Sequence, residues 1–167
     1  DFHVDAAGRP SLIEINTNAG GLLLNAALAH AGAPCCGGMD LALPPANPPG
    51  AIESAVLAMF AAEWARARAA GWPVAQRDAP RLLAIVDEHP DKQFLWPEFQ
   101  LYAGLLRQAG WPTLICPPHA LHWRHGQLWH GDGADAQPVD MVYNRLTDFS
   151  LSDPASAPLR QAWQARQ

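Results

Sequence analysis

Glu14 and Asn16 stand two residues apart in Leu12-Ile13-Glu14-Ile15-Asn16-Thr17. On a strand that spacing projects both side chains from one face and sends Ile13 and Ile15 toward the core. An apolar strand that keeps a carboxylate on its working face can simply be solvated there, or it can hold a hard cation. Magnesium takes oxygen ligands, typically one or two protein carboxylates together with nucleotide phosphates. Asp1 lies on what reads as the neighbouring strand, so three oxygen donors, Asp1, Glu14 and Asn16, can converge on one ion.

The elements that must position these donors are legible around them. Phe2 and Val4 alternate with polar residues, Ala7-Gly8-Arg9-Pro10 supplies a turn, and the run from Ser11 resumes an extended pattern, which together predict an antiparallel hairpin. Gly20-Gly21 ends the second strand, and the Leu/Ala-rich stretch from Leu22 to His30 predicts a helix closing near Gly32.

The string Asp1-Phe2, then Leu12-Ile13-Glu14-Ile15-Asn16-Thr17-Asn18-Ala19-Gly20-Gly21, resembles the end of an ATP-grasp catalytic domain. The resemblance implies that Glu14 and Asn16 bind the magnesium ions bridging ATP phosphates, and that Asp1 joins them. It also implies that Asn18, Gly20 and Gly21 form a loop near the acceptor carboxylate, where glycines permit close backbone approach. The same two glycines would serve an ordinary strand-to-helix turn.

From Ala33 to Gly50 the chain carries five prolines with Gly37 and Gly38, a linker in which no regular element is expected. Beyond it, Ile52, Val56, Met59, Phe60 and Trp64 predict one apolar helix face over 51–70, closed by Gly71, with Arg66 and Arg68 where the helix dipole favours cations. Arg81 to Val86 reads as a strand buried on both faces. Pro97 to Gln108 reads as a helix with Phe99, Tyr102, Leu106 and Ala109 on one face, and Pro112 to Cys116 as a second strand, one βαβ unit in all. A hairpin about Gly126-Gln127, a third core strand from Val139 to Tyr143, and a last helix from Ser152 or Asp153 with Leu159 and Trp163 facing inward complete the prediction. The expected fold class is α/β: residues 1–32 as the C-terminal piece of an ATP-grasp domain, 33–50 as linker, and 51–167 as a small three-layer α/β substrate-binding domain of pre-ATP-grasp type.

An ATP-grasp motif followed by a substrate domain resembles the permuted order of eukaryotic-type glutathione synthetases. The resemblance extends to the strand from Leu82 with Glu88 and Gln93 after it, and to Val142-Tyr143-Asn144-Arg145, where that family has Val-Tyr-x-Arg. It implies that Arg145 helps hold a peptide substrate, and a planar fork of donors at a strand's carboxyl end suits a carboxylate. A surface pair with Asp148 is the plain alternative. Gln93 and Glu98 occupy the connection after the first core strand, where ligands bind in open α/β sheets. Asn18-Ala19 in place of the family's serine-bearing loop, and Leu146-Thr147 after Arg145, depart from glutathione synthetases at the substrate side.

The implied activity is an ATP- and magnesium-dependent carboxylate-amine ligase acting on an amino acid or short peptide; a non-catalytic ATP-grasp-derived binding module is the alternative. With one lysine, Lys92, and no glycine-rich phosphate loop, residues 1–167 are expected to need nucleotide-binding lysines and a lid from upstream of Asp1, a strand-like start with no lead-in. A net charge of −5 without a basic stripe argues against nucleic acid, and no apolar run is of membrane-spanning length. Cys35, Cys36 and Cys116 imply no disulfide framework, which fits a cytoplasmic protein. His119, His122, His125 and His130 invite a zinc reading, but their alternation on a hairpin splits them between two faces.

Overall fold

The computed structural model describes residues 2–15, 20–32, 48 and 50–166. Strands β1 (Phe2–Val4) and β2 (Pro10–Leu12) pair antiparallel, with Phe2 opposite Leu12 and Val4 opposite Pro10. Asp5 closes their turn. Its carboxylate accepts from the Ala7 and Arg9 amides, both at 2.9 Å, and from Arg9 Nε at 2.8 Å, and Arg9 holds its carboxyl below the ordinary value. Pairing stops at Leu12, so Ile13 and Ile15 are not buried as expected but lie past the strand, 65% and 74% exposed.

Helix α1 (Leu22–Gly32) buries Leu23 and Ala26. Helix α2 (Ala51–Ala69) buries Val56, Phe60 and Trp64, a row of four-residue steps from which Met59 is offset and remains exposed. Gly71, at φ 72°, lets the Trp72 amide reach back to the Ala67 carbonyl (3.0 Å) and the Gly71 amide to that of Arg68 (3.0 Å). The same device ends α3 (Trp96–Gln108): Gly110 is at φ 85°, Trp111 donates to Leu106 and Gly110 to Arg107. A residue at ease with positive φ closes a helix this way, and in both cases a partly buried tryptophan follows it.

Strand β3 (Leu83–Val86) is buried along its length and lies between β4 (Thr113–Cys116) and β8 (Met141–Asn144), parallel to both. Leu83 and Ile85 face a cluster with Leu23, Val56, Phe60, Phe99 and Leu106, contributed by α1, α2 and α3. Ala84 and Val86 face the opposite cluster with Leu121, Leu128, Val139 and Leu159. A near-continuous apolar run is what a parallel strand covered on both faces requires. The fold is α/β.

The second cluster is roofed by a three-stranded antiparallel sheet, β5 (Leu121–Arg124), β6 (Gln127–His130) and β7 (Gln137–Val139), and by helix α4 (Ala157–Ala165). The β5–β6 turn falls one residue earlier than predicted, on His125 (φ 53°) and Gly126 (φ 71°), because a two-residue hairpin loop needs both positions at positive φ. The expected single strand from Val139 to Tyr143 is two. The chain leaves the antiparallel sheet at Val139 and enters the parallel one at Met141, turning on Asp140, whose side chain is fully buried against Arg81. Asp153 caps the turn before α4 by accepting from the Ala155 amide at 2.7 Å. In α4 the inner row is Leu159 and Ala162; Trp163, one position round the helix, is 70% exposed rather than inward and meets Trp72 edge to face at 6.5 Å. Among the described residues no helix is long and apolar enough to cross a membrane.

Candidate active site at the carboxyl ends of the parallel strands

Two chain segments diverge at the carboxyl ends of β3 and β8: the chain from β3 continues to α3 on one face, and that from β8 to α4 on the other. A crevice opens where such connections part, and ligands bind there in open α/β sheets. Register fixes what lines it. Val86 is opposite Asn144, so the next residues, Asp87 and Arg145, sit side by side, and the two-residue alternation puts them on the α3 face with Ile85 and Tyr143.

Arg145 is only 7% exposed. Its backbone amide donates to the Val86 carbonyl at 2.8 Å, which extends the ladder one step and anchors the residue to the sheet. Nη1 donates to the Tyr143 hydroxyl at 3.3 Å, and the guanidinium carbon stands 5.3 Å from the centre of the same ring. Tyr143 in turn tilts against Tyr102 of α3, with centroids 5.2 Å apart, and burial raises the Tyr102 phenol above its ordinary value. Asp87 is half-buried, and burial raises its carboxyl against the opposing pull of Arg145. A fixed, partly desolvated guanidinium beside a carboxylate and two phenols is suited to orienting a small ligand that carries its own carboxylate.

Gly20 and Gly21 meet this cluster from the other end of the chain. A side chain at Gly20 would start 3.2 Å from Arg145 Nη2 and 2.3 Å from Leu95 Cδ1, so Leu95 would have to shift to admit one. Gly21 is at φ 93°. Glu98, 2% exposed, accepts from the Gly21 amide through Oε2 (2.6 Å) and from the Leu23 amide through Oε1 (3.0 Å).

Of the residues singled out in the sequence, Gly20, Gly21, Glu98 and Arg145 thus come together. Gln93 does not take part in that cluster; its Nε2 donates to the Glu88 carbonyl at 2.6 Å. Glu14 is exposed beyond β2, and Asp1, Asn16 and Asn18 lie outside the described residues, as do Cys35 and Cys36. Arg145 is not a surface residue. Asp148, its partner in the alternative reading, accepts from Ser150 Oγ and Ser152 Oγ, each at 3.1 Å, and from the Asp153 amide at 2.8 Å. Asp87, Tyr102 and Tyr143 were not singled out as site residues. The signal for Asp87 was present: a carboxylate directly ends an otherwise apolar strand. Tyr102 read only as a core residue.

Among the described residues no group of three or more His, Cys, Asp or Glu side chains could hold a metal ion. His122 Nε2 stands 3.5 Å from Asp132 Oδ2 on the antiparallel sheet, and burial pushes the Cys116 thiol up to about 12. A cleft of about 730 Å³ runs beside β8 between α2 and α4, lined by Trp64, Trp72, Val142, Leu159 and Trp163 among others. Its charged rim is already engaged: Arg66 with Glu63, Asp140 with Arg81, and Arg160 with the Leu151 carbonyl. Convergent polar groups are at the strand ends instead, and the candidate site is placed there. No protein-family description, curated protein or solved structure matches the chain.

Proposed function

We propose that this chain carries part of an ATP- and magnesium-dependent carboxylate-amine ligase of the ATP-grasp type, with a glutathione-synthetase-like order of parts and a cytoplasmic setting. The observation that supports this reading best is the seating of Gly20-Gly21, the end of the motif string that contains Glu14 and Asn16, against Glu98 and Arg145. Gly20, which follows the string read as the metal end, and Arg145, the residue read as the substrate anchor, are neighbours although 125 positions apart in sequence.

Asp1, Glu14 and Asn16 are an all-oxygen donor set, which fits magnesium, and Glu14 is exposed where a hydrated ion can reach it. When bound, magnesium with ATP supplies electrostatic stabilisation of the transferring phosphoryl group. In the proposed reaction the substrate carboxylate takes the terminal phosphoryl of ATP, giving an acyl phosphate and ADP. An amine then attacks the acyl carbon and phosphate leaves. Arg145 orients the carboxylate of an amino acid or short peptide, Tyr143 fixes the guanidinium, and Asp87 completes the polar wall. With Lys92 as its one lysine, the 167-residue chain by itself is expected not to turn over ATP.

The test is ADP release by the full-length polypeptide, screened over amino acids and short peptides beside Glu14→Gln. Loss of one oxygen ligand is expected to lower kcat by about tenfold or more. Equal ADP release by the two proteins removes the magnesium assignment, and nucleotide or peptide binding with no release supports a non-catalytic binding module instead.

A further inference from the structure

The Glu98 carboxylate is nearly as buried as any apolar side chain around it, and a buried carboxylate is tolerated only where hydrogen bonds compensate its lost hydration. Its two acceptors are met by the amides of Gly21 and Leu23, at the amino end of α1. Helix amino ends leave unbonded N–H groups and carry partial positive charge, so an anion is favoured there. Such a cap normally comes from the residue just before the helix. Here that position is Gly-Gly, the first turn of α1 has no acidic residue, and the carboxylate arrives from α3, 77 and 75 residues away.

One turn of α3 touches the same dipeptide twice. Glu98 binds the Gly21 amide, and Leu95, three residues earlier, occupies the space beside Gly20, where a side chain would begin 2.3 Å from Leu95 Cδ1. The other neighbour of that point is Arg145 Nη2. Gly20 therefore lies between the Leu95 side chain and the guanidinium. Each Glu98 oxygen accepts from a backbone amide.

We propose that the first turn of α3 is a positioning clamp, in which Glu98 and Leu95 hold the Gly20-Gly21 peptide against Arg145 and so set where the guanidinium meets the substrate. Glu98 is then a positioning residue rather than a ligand for substrate. The clamp itself is a structural claim; only its effect on turnover rests on the ligase reading above.

The two are separated by a measurement that needs no substrate. In NMR spectra of the 167-residue chain, Glu98→Gln is expected to speed hydrogen exchange of the Gly21 and Leu23 amides by about tenfold or more, the loss of a charge-assisted bond, and to shift the Arg145 Nε–H resonance with them. Gly20→Ala is expected to shift the Arg145 resonance while the Leu23 amide keeps its protection, and it supplies the same readout if Glu98→Gln fails to fold. An Arg145 resonance that stays put in the folded variants overturns the clamp and leaves Glu98 as a cap on α1 alone. In full-length polypeptide that releases ADP, Glu98→Gln should raise KM for the carboxylate substrate about tenfold with KM for ATP unchanged, and Glu98→Asp should recover part of the loss. A fall in thermal midpoint with neither KM altered overturns the link to substrate. If no amino acid or peptide supports ADP release, the ligase reading fails while the exchange and resonance shifts still decide the clamp.

Discussion

Environment drives two carboxylates near the strand ends in opposite directions. The Asp153 amide, with Ser152 and Ser150, holds the Asp148 carboxyl down at about 2, from an ordinary 3.8. Folding is therefore favoured by ionised Asp148; that contribution is complete above pH 3.8 and is lost as pH falls toward about 2. Asp87 is raised by burial, so the folded state binds its proton more tightly than the unfolded chain does. Its ionisation opposes folding, and the penalty grows as pH rises from 3.8 through the folded value. Thermal midpoints measured against pH should show both signs. Asp148→Asn is expected to melt below wild type at neutral pH, with the gap closing in acid. Asp87→Asn is expected to melt above wild type at neutral pH, with its gain vanishing in acid, while substrate turnover falls. A retained strand-end carboxylate that costs stability is what a binding role would explain. A lower neutral midpoint for Asp87→Asn would show that the Arg145 attraction outweighs burial.

At the scale of elements, helices were the most legible part of the sequence because their punctuation is local. Gly71-Trp72 and Gly110-Trp111 mark two helix ends within a residue, and the four-residue row Val56, Phe60, Trp64 marks the buried face. Strands β7 and β8 were read as one because Val139-Asp140-Met141 alternates as a strand should, and nothing local says that Asp140 serves two sheets. Its carboxylate accepts from the Arg81 amide at 2.8 Å, from Nε at 2.9 Å and from Nη2 at 2.6 Å, while Nη2 also donates to Gln127 of β6 at 2.9 Å. The hydrogen bonds raise the Arg81 guanidinium pKa further and tie the start of β3 to both sheets. Asp140→Ala should cost about 2 kcal/mol, below the full penalty of breaking a buried pair because water reaches Arg81. That corresponds to a fall of about 4–8 °C in thermal midpoint, measured by circular dichroism. No change would mean that water replaces the carboxylate at the sheet crossover.

Over the whole molecule, stability is unevenly distributed, and this separates what sequence could reveal from what it could not. Glu14 and its neighbours were conspicuous because polar residues interrupt an apolar string. The meeting of Gly20 with Arg145 was invisible, since proximity across 125 residues leaves no local pattern, and so were the Glu98 partners, two backbone amides 77 and 75 residues away. Strand β3 is covered on both faces, so its amides should exchange only through global unfolding. Among the described residues, strands β1 and β2 pair only with each other, and Phe2, Val4, Leu12, Ile13 and Ile15 are all exposed. A lone two-stranded hairpin is marginal in water. Hydrogen exchange on the 167-residue chain should therefore show β1 and β2 opening at close to zero free energy, β3 at the global value, and protection beginning at the Glu98-bound amides of Gly21 and Leu23. In the full-length polypeptide of the proposed ligase, the hairpin's apolar residues should gain partners and its amides should slow toward those of β3. Slow exchange of β1 and β2 in the 167-residue chain itself would show that the hairpin is self-sufficient, and would remove the argument that its apolar residues await further catalytic-domain structure.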